Sequence, residues 1–260
     1  MIRHNLRLEY QNMTKPCKEI KRCARENLTH HYGIPMGALL VAGLIPLAIE
    51  LPFSMTAGEH PTLMQQVLLA IADLLIALIS CILSAGLTYL HLNMARNKPY
   101  QLSMIFWGFK NRPDRFILAS LLICLCYLPG LVPCIIGVGI LYIPGIPGIL
   151  AISGAILLGI CSVLLCTVIL LNVTFFIYVL IDQPEDSIPA CLLASLHAIK
   201  GHRGKLLYLY LSFLGLDMLN LLSLGIGSLW IFPYKTQTFA TFYLSLKEDK
   251  APGQTINLSL

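Results

Sequence analysis

Apolar residues in this chain come in long continuous blocks, not in the spaced stripes of a soluble fold. Five blocks stand out, at 33–53, 63–92, 116–142, 149–181 and 206–232. A spanning helix needs about 20 predominantly apolar residues to cross a hydrocarbon core of about 30 Å. From Phe116 to Ile181 there are 66 residues without Asp, Glu, Lys or Arg, room for at least two crossings. Lipid offers no water to satisfy backbone amides, so a spanning segment is a helix or part of a closed barrel. Uninterrupted runs, without alternation, exclude the barrel. The pattern predicts an all-α, polytopic transmembrane helical bundle.

The polar connectors sort by charge. Residues 1–32 carry seven Lys or Arg, 93–115 carry five and 182–205 carry three, whereas 54–62 and 143–148 carry none. Cytoplasmic loops retain positive charge, so the alternation predicts a cytoplasmic N-terminus followed by four crossings. Segment 1–32 has no apolar stretch ending in a small-residue cleavage site, so it is not read as a cleavable signal peptide. The fifth block admits two readings. A single helix would leave Lys235, Lys247 and Lys250 outside. A break at Gly225-Ile226-Gly227 gives crossings at 206–224 and 228–246, six in all, with both termini inside and a polar tail at 247–260. Glycine lets a helix stop and reverse. The second reading is preferred, although it buries Lys235, Thr236, Gln237 and Thr238 in the last helix.

Two shorter segments look amphipathic and interfacial. In 14–28, Thr14 is an N-cap candidate. Cys17, Ile20, Cys23, Ala24 and Leu28 form one face, opposite Lys18, Lys21, Arg22 and Arg25. Such a helix suits an anionic leaflet or serves as a solvated connector. The second, 187–200, is bounded by Ser187 and Gly201, with Glu185 and Asp186 near its positive end. Pro129 and Pro133 are expected to kink the third crossing. The Pro and Gly residues of 144–148 suit a tight external turn.

Composition sharpens this picture. The chain has 260 residues, 57% hydrophobic and 12% charged, with a net charge of +5. A soluble domain carries roughly 25% charged residues. The positive excess follows the loop rule, so nucleic-acid binding is not expected. Nine cysteines, scattered singly in the sequence, read as small hydrophobes. Neither Cys124-x-Cys126 nor the histidines fall at a metal spacing. No metal and no cofactor are expected.

Several segments occur in a familiar order: F-W-G-F-K at 106–110, Y-V-L-I-D-Q-P at 178–184, K-G-H-R-G-K at 200–205, L-S-F-L-G-L at 211–216 and L-G-I-G-S-L-W-I-F-P-Y at 224–234. In that order they resemble a bacterial integral membrane family catalogued as domain of unknown function 975. Gln183 stands where the family usually has Asn, and Leu216 where it has Trp. The resemblance implies a bacterial plasma-membrane protein of about six membrane helices, and no activity.

Ionisable groups inside the bilayer are the best local candidates for chemistry, because a charge at mid-helix costs about 2.5–3.5 kcal/mol on insertion scales. Asp73 lies mid-way along the second crossing. Asp217 lies in the fifth, with Asn220 three residues on. A proton or cation site would use Asp73 and Asp217, with Lys235 as counter-charge; alternatively each group only ties helices together. Glu50 lies nearer an external end. At the inner surface, Asp182 and Pro184 end the fourth helix. Lys200, His202, Arg203 and Lys205 form a basic cluster suited to lipid phosphates or to a solvated loop. Trp107, Trp230, Tyr100 and Tyr234 sit at block ends, where aromatic rings anchor interfaces. No phosphate-binding loop, nucleophile elbow or His-Glu-x-x-His is present, so no catalytic residue is assigned. The expectation is a non-enzymatic accessory or scaffold component, in contact with membrane lipids and a membrane-protein partner or second copy. A small transporter is the alternative.

Overall fold

The computed structural model describes residues 16–56, 62–143 and 147–250. Thr14, residues 57–61 and 144–146 of the two uncharged connectors, and 251–260 of the tail lie outside the described residues. The helices are α1 (Cys17–Leu28), α2 (Gly33–Thr56), α3 (Leu63–Ala95), a 3-10 turn (Leu102–Phe106) leading into α4 (Trp107–Lys110), α5 (Pro113–Ile140), α6 (Gly148–Val173), α7 (Phe176–Asp182), α8 (Ile188–Ile199), α9 (Arg203–Leu211), α10 (Leu214–Leu222) and α11 (Ser228–Lys250). No strand occurs among the described residues.

Among the described residues, five helical segments are long and apolar enough to cross a membrane: Gly33–Phe53, Leu63–Ala95, Pro113–Ile140, Gly148–Asp182 and Arg203–Leu222. Their open faces are apolar, with Leu44, Ile135, Leu157 and Val163 all exposed. Such surfaces are untenable in water and natural in hydrocarbon. The fold is that of a membrane-embedded helical protein. α11 has 23 residues, but its polar run from Lys235 to Thr238 leaves it outside that set.

Several boundaries differ from the sequence expectation. α1 begins at Cys17, with Pro16 in extended backbone at its N-cap. The fourth block is two helices, α6 and α7, interrupted at Thr174-Phe175. The fifth block breaks at Ser212-Phe213 as well as at the expected glycines. At each added break a hydroxyl bonds back onto the preceding turn: Thr174 Oγ1 donates to the Leu170 carbonyl at 2.6 Å, and Ser212 Oγ to the Leu209 carbonyl at 2.6 Å. The same bond occurs at Thr88 and Thr241 inside unbroken helices, so it accompanies the breaks and does not by itself make them. Residues 247–250, expected in the tail, continue α11. α5 carries Pro129 and Pro133 inside a continuous helix. Ser187 does occupy the N-cap of α8, without a side-chain cap bond, and Gly201 follows the helix at φ +89°.

The chain forms two compact units, residues 1–113 with 208–260, and residues 114–207. In the first, α1 packs on α11 and α3, burying Ile20, Ala24 and Leu28 completely. The second half of α3 is buried from Ile82 to Met94, apart from Ser84 and two half-buried positions, whereas in its first half only Ala72 is. A capping box starts α3: Gln65 N–H donates to Thr62 Oγ1, and Thr62 N–H to Gln65 Oε1 at 2.8 Å. Glycine sets the closest approach. A Cβ on Gly86 would lie 2.0 Å from the Ile105 carbonyl oxygen, and one on Gly108 2.8 Å from Ile82 Cγ2. In the second unit, α5 meets α6 through Gly130, where an added Cβ would fall 2.7 Å from Cys166 Sγ. There the Ser162 hydroxyl donates to the Gly130 carbonyl at 2.6 Å.

Candidate functional site

The break at Gly225 turns α10 back alongside α11. Leu224 and Gly225 both adopt left-handed backbone, at φ +53° and +87°; glycine tolerates this freely and leucine does not. Gly227 is confined for another reason: an added Cβ would sit 2.9 Å from Ser223 Oγ and 3.3 Å from Asn220 Oδ1. The tight turn places Asp217 of α10 opposite Lys235 of α11, with Nζ 2.9 Å from Oδ2. The two side chains are 38% and 27% exposed. In water such a pair contributes at most about 1 kcal/mol; in hydrocarbon it removes two isolated charges. Asn220 Oδ1, buried one turn along α10, has no hydrogen-bond partner among the described residues.

Helix α1 brings further cations to the same region. Lys21 Nζ donates to the Ser212 carbonyl at 3.4 Å and stands 4.4 Å from the centre of the Phe213 ring. Ser212 is where the helix is broken, so the lysine serves a carbonyl at an interrupted ladder. Burial holds the Lys21 ammonium below its ordinary pKa. The Arg25 guanidinium lies 5.9 Å from the Tyr234 ring, and Tyr234 packs edge-on against Phe213 at 5.3 Å. The buried side of α1 thus faces protein, while Lys18, Arg22 and Arg25 stay exposed. Tyr234 belongs to this cluster, and Trp107 stacks on Tyr89 at 4.3 Å. Two of the four rings named as interfacial anchors, Trp107 and Tyr234, are therefore also packing groups.

The polar run of α11 is accounted for residue by residue, beginning with Thr236 Oγ1, which donates to the Phe232 carbonyl at 3.0 Å. Gln237, fully buried, reaches His91 Nδ1 at 2.9 Å. With its amide nitrogen toward the ring, it also donates to the His91 carbonyl and accepts from the Ala95 N–H, both at 3.2 Å. Thr238 Oγ1 donates to the Tyr234 carbonyl at 2.7 Å, and Lys235 holds Asp217. Buried polar groups that find partners no longer count against a helix. His91 was visible in the sequence only as a histidine outside any metal spacing.

Asp73 does not join this cluster. It lies on the exposed side of the N-terminal half of α3, and among the described residues nothing donates to it. The expectation that a mid-helix charge faces the protein interior is not met, because among the described residues no helix covers that face. Glu50, near the C-terminal end of α2, is exposed as well.

In the second unit the turn after α7 is gripped by Arg115, only 5% exposed at the start of α5. Its guanidinium donates to the carbonyls of Pro184, of Gln183 at 3.2 Å and of Asp186 at 2.6 Å. It also lies 3.7 Å from Cys191 Sγ. Burial pushes the Cys191 thiol up, against the pull of Arg115. Asp182 closes α7 within this turn, and Pro184 supplies a clasped carbonyl. Lys200 and Arg203 are exposed; His202 and Lys205 are half-buried. In the sequence Arg115 was one of five loop charges. Its position one residue before an uncharged run of 66 was the available signal.

The recurring segments coincide with these fasteners. F-W-G-F-K supplies Gly108 and Trp107, Y-V-L-I-D-Q-P the clasped carbonyls, L-S-F the break held by Lys21, and L-G-I-G-S the turn. Among the described residues no group of three His, Cys, Asp or Glu is placed to hold a metal ion. No curated protein and no solved structure matches this chain. The family model described as protein of unknown function, DUF975, matches residues 13–250, and the chain belongs to that family.

Proposed function

We propose that this protein is a non-enzymatic, multi-pass component of a bacterial plasma membrane, an accessory or scaffold for a membrane process. Its N-terminus and basic connectors face the cytoplasm, and residues 33–53, 63–92, 116–142 and 149–181 make full crossings. It contacts membrane lipids and a membrane-protein partner or a second copy, and nucleic acid is not a partner.

One observation carries the scaffold reading: the buried polar groups Arg115, His91 and Gln237 are spent on joining segments of the chain, and the partly exposed Lys235 and Asp217 hold each other. The Arg115 guanidinium goes to three backbone carbonyls, Gln237 goes to His91, and Lys235 goes to Asp217. A transport site keeps its charges available to a moving ion. The second reading, a proton or cation pathway, is favoured by the partial exposure of the Asp217–Lys235 pair and by the unpartnered Asn220 Oδ1.

Proteoliposomes holding the full chain separate the two when loaded with a pH-sensitive dye and driven by a proton or potassium gradient. The scaffold reading expects the same leak as empty vesicles for the native chain, for Asp217→Asn and for Asp73→Asn. A flux above that background, abolished by Asp217→Asn, overturns it and establishes the pathway.

A further inference from the structure

The height of the α10–α11 pair can be counted against the helices beside it. The Gln237–His91 contact fixes a common level on α11 and α3. From Gln237 back to the turn at Gly225 is about 12 residues, or about 18 Å at 1.5 Å per residue. From His91 back to the start of α3 at Leu63 is about 28 residues, or about 42 Å. The turn thus stops about 24 Å below the outer end of α3. α2 gives an independent measure. A shallow groove is lined by Leu40, Leu44 and Leu47 of α2 and by Ser228 and Phe232 of α11. Beyond Leu47, α2 continues for about 9 residues, about 14 Å, to Thr56, whereas the turn lies only about 3 residues, about 4.5 Å, beyond Ser228, so it stops about 9 Å short. By either measure the turn ends before its neighbours do.

Helix α1 marks where the pair begins. Lys21 meets one arm at Ser212 and Phe213, and Arg25 meets the other at Tyr234. About 10 residues on each arm lie between those contacts and the turn, about 15 Å, half of a hydrocarbon core of about 30 Å.

The chemistry of the turn matches that depth. Every backbone N–H from Ser223 to Ile231 has an acceptor within the pair. The Ser223 hydroxyl completes the set: it accepts from Gly227 N–H at 2.9 Å and donates to the Asn220 carbonyl at 2.9 Å. Meanwhile Leu222, Leu224 and Ile226 are 80%, 92% and 65% exposed. A turn in water has no need to satisfy each N–H internally, and gains nothing by presenting three bare aliphatic side chains. A turn in hydrocarbon has to do the first and is favoured by the second.

We propose that α10 and α11 form a re-entrant helical hairpin, entering and leaving by the membrane face that carries α1, with its turn seated among the acyl chains of a single leaflet. Residues 206–246 then make no crossing, and Leu222, Leu224 and Ile226 form a lipid-contacting tip. This holds whichever activity the protein has.

The chain has two tryptophans, Trp107 and Trp230. This permits a depth measurement on the full protein in phosphatidylcholine–phosphatidylglycerol vesicles with spin-labelled lipids. The variant Trp107→Phe/Trp230→Phe/Leu224→Trp carries one reporter at the tip. The hairpin expects quenching about twofold stronger from a label near the chain terminus than from one near the headgroup, across a half-core of about 15 Å, and no quenching by aqueous iodide. Trp107→Phe, which leaves Trp230 and disturbs the tip least, expects depth-dependent quenching intermediate between headgroup and chain end. Strong quenching of the tip by shallow label and by iodide overturns the proposal in favour of a crossing. A tip untouched by any lipid label overturns it in favour of a protein partner or a second copy covering the turn.

Discussion

The two ends of α3 live in different worlds. From Ile82 to Met94 it is enclosed by α1, the 3-10 turn, α4 and α11, with Gly86 and Gly108 in backbone contact and His91 bonded to Gln237. From Leu63 to Leu75 the same helix shows Leu, Ile, Met and Val to its surroundings, and Ala72 alone is buried. The C-terminal end is held by fit, where a single added atom collides. The N-terminal end is held by its solvent, because lipid tails are as apolar as its side chains and give helices little reason to associate. Stability is therefore concentrated at one end, and substitutions should report it unequally.

The largest contrast is between two glycines. Gly86→Val drives a side chain into the Ile105 carbonyl and is expected to abolish accumulation or lower stability by about 3 kcal/mol or more. Gly43→Ala in α2, where nothing lies within 4 Å of an added Cβ, is expected to be neutral or stabilising by up to about 1 kcal/mol. Thermal melting in detergent compares them, and equal losses would erase the distinction between the ends.

Arg115 extends the comparison to the second unit. Arg115→Ala leaves three carbonyls without their donor and is expected to cost about 3 kcal/mol. Arg115→Lys, with one point charge in place of a fork, is expected to recover only part. Protease accessibility of the turn at 183–186 reads the loss directly.

Gln237→Leu strands His91 and is expected to lower stability by about 1–3 kcal/mol. His91→Leu does the same, and the double variant loses less than the sum of the two. Strict additivity in that melting cycle would mean the pair is not coupled.

The smallest effects belong to exposed charge. Arg22 and Glu26 lie 3.5 Å apart with both side chains about two-thirds exposed, so Arg22→Ala is expected to change stability by less than about 0.5 kcal/mol. A larger loss in the same melts would place Arg22 inside the packed end.

Much of this was legible in the chain. The apolar blocks located the long helices, Gly225 located the reversal, and Ser187 located the start of α8. Lys235 was legible as a counter-charge to Asp73 and Asp217 together, and the fold alone gave it to Asp217. Other features escaped. The break at Ser212 hid inside an apolar block, where nothing local distinguishes Ser212 from Ser84 of unbroken α3, whose hydroxyl bonds back in the same way. Asp73 read as interior because hydropathy reports depth and not direction.

By itself, the sequence determined the class of the protein, its long apolar blocks and the reversal at Gly225, since each follows from contiguous residues preferring hydrocarbon or water, or from a glycine that can turn. Tertiary structure alone decided which polar group meets which. His91 and Gln237 are separated by 146 positions, Arg115 and its carbonyls by about 70. No local preference encodes such pairings; they exist only when packing brings segments far apart in sequence side by side, so that a buried donor meets an acceptor.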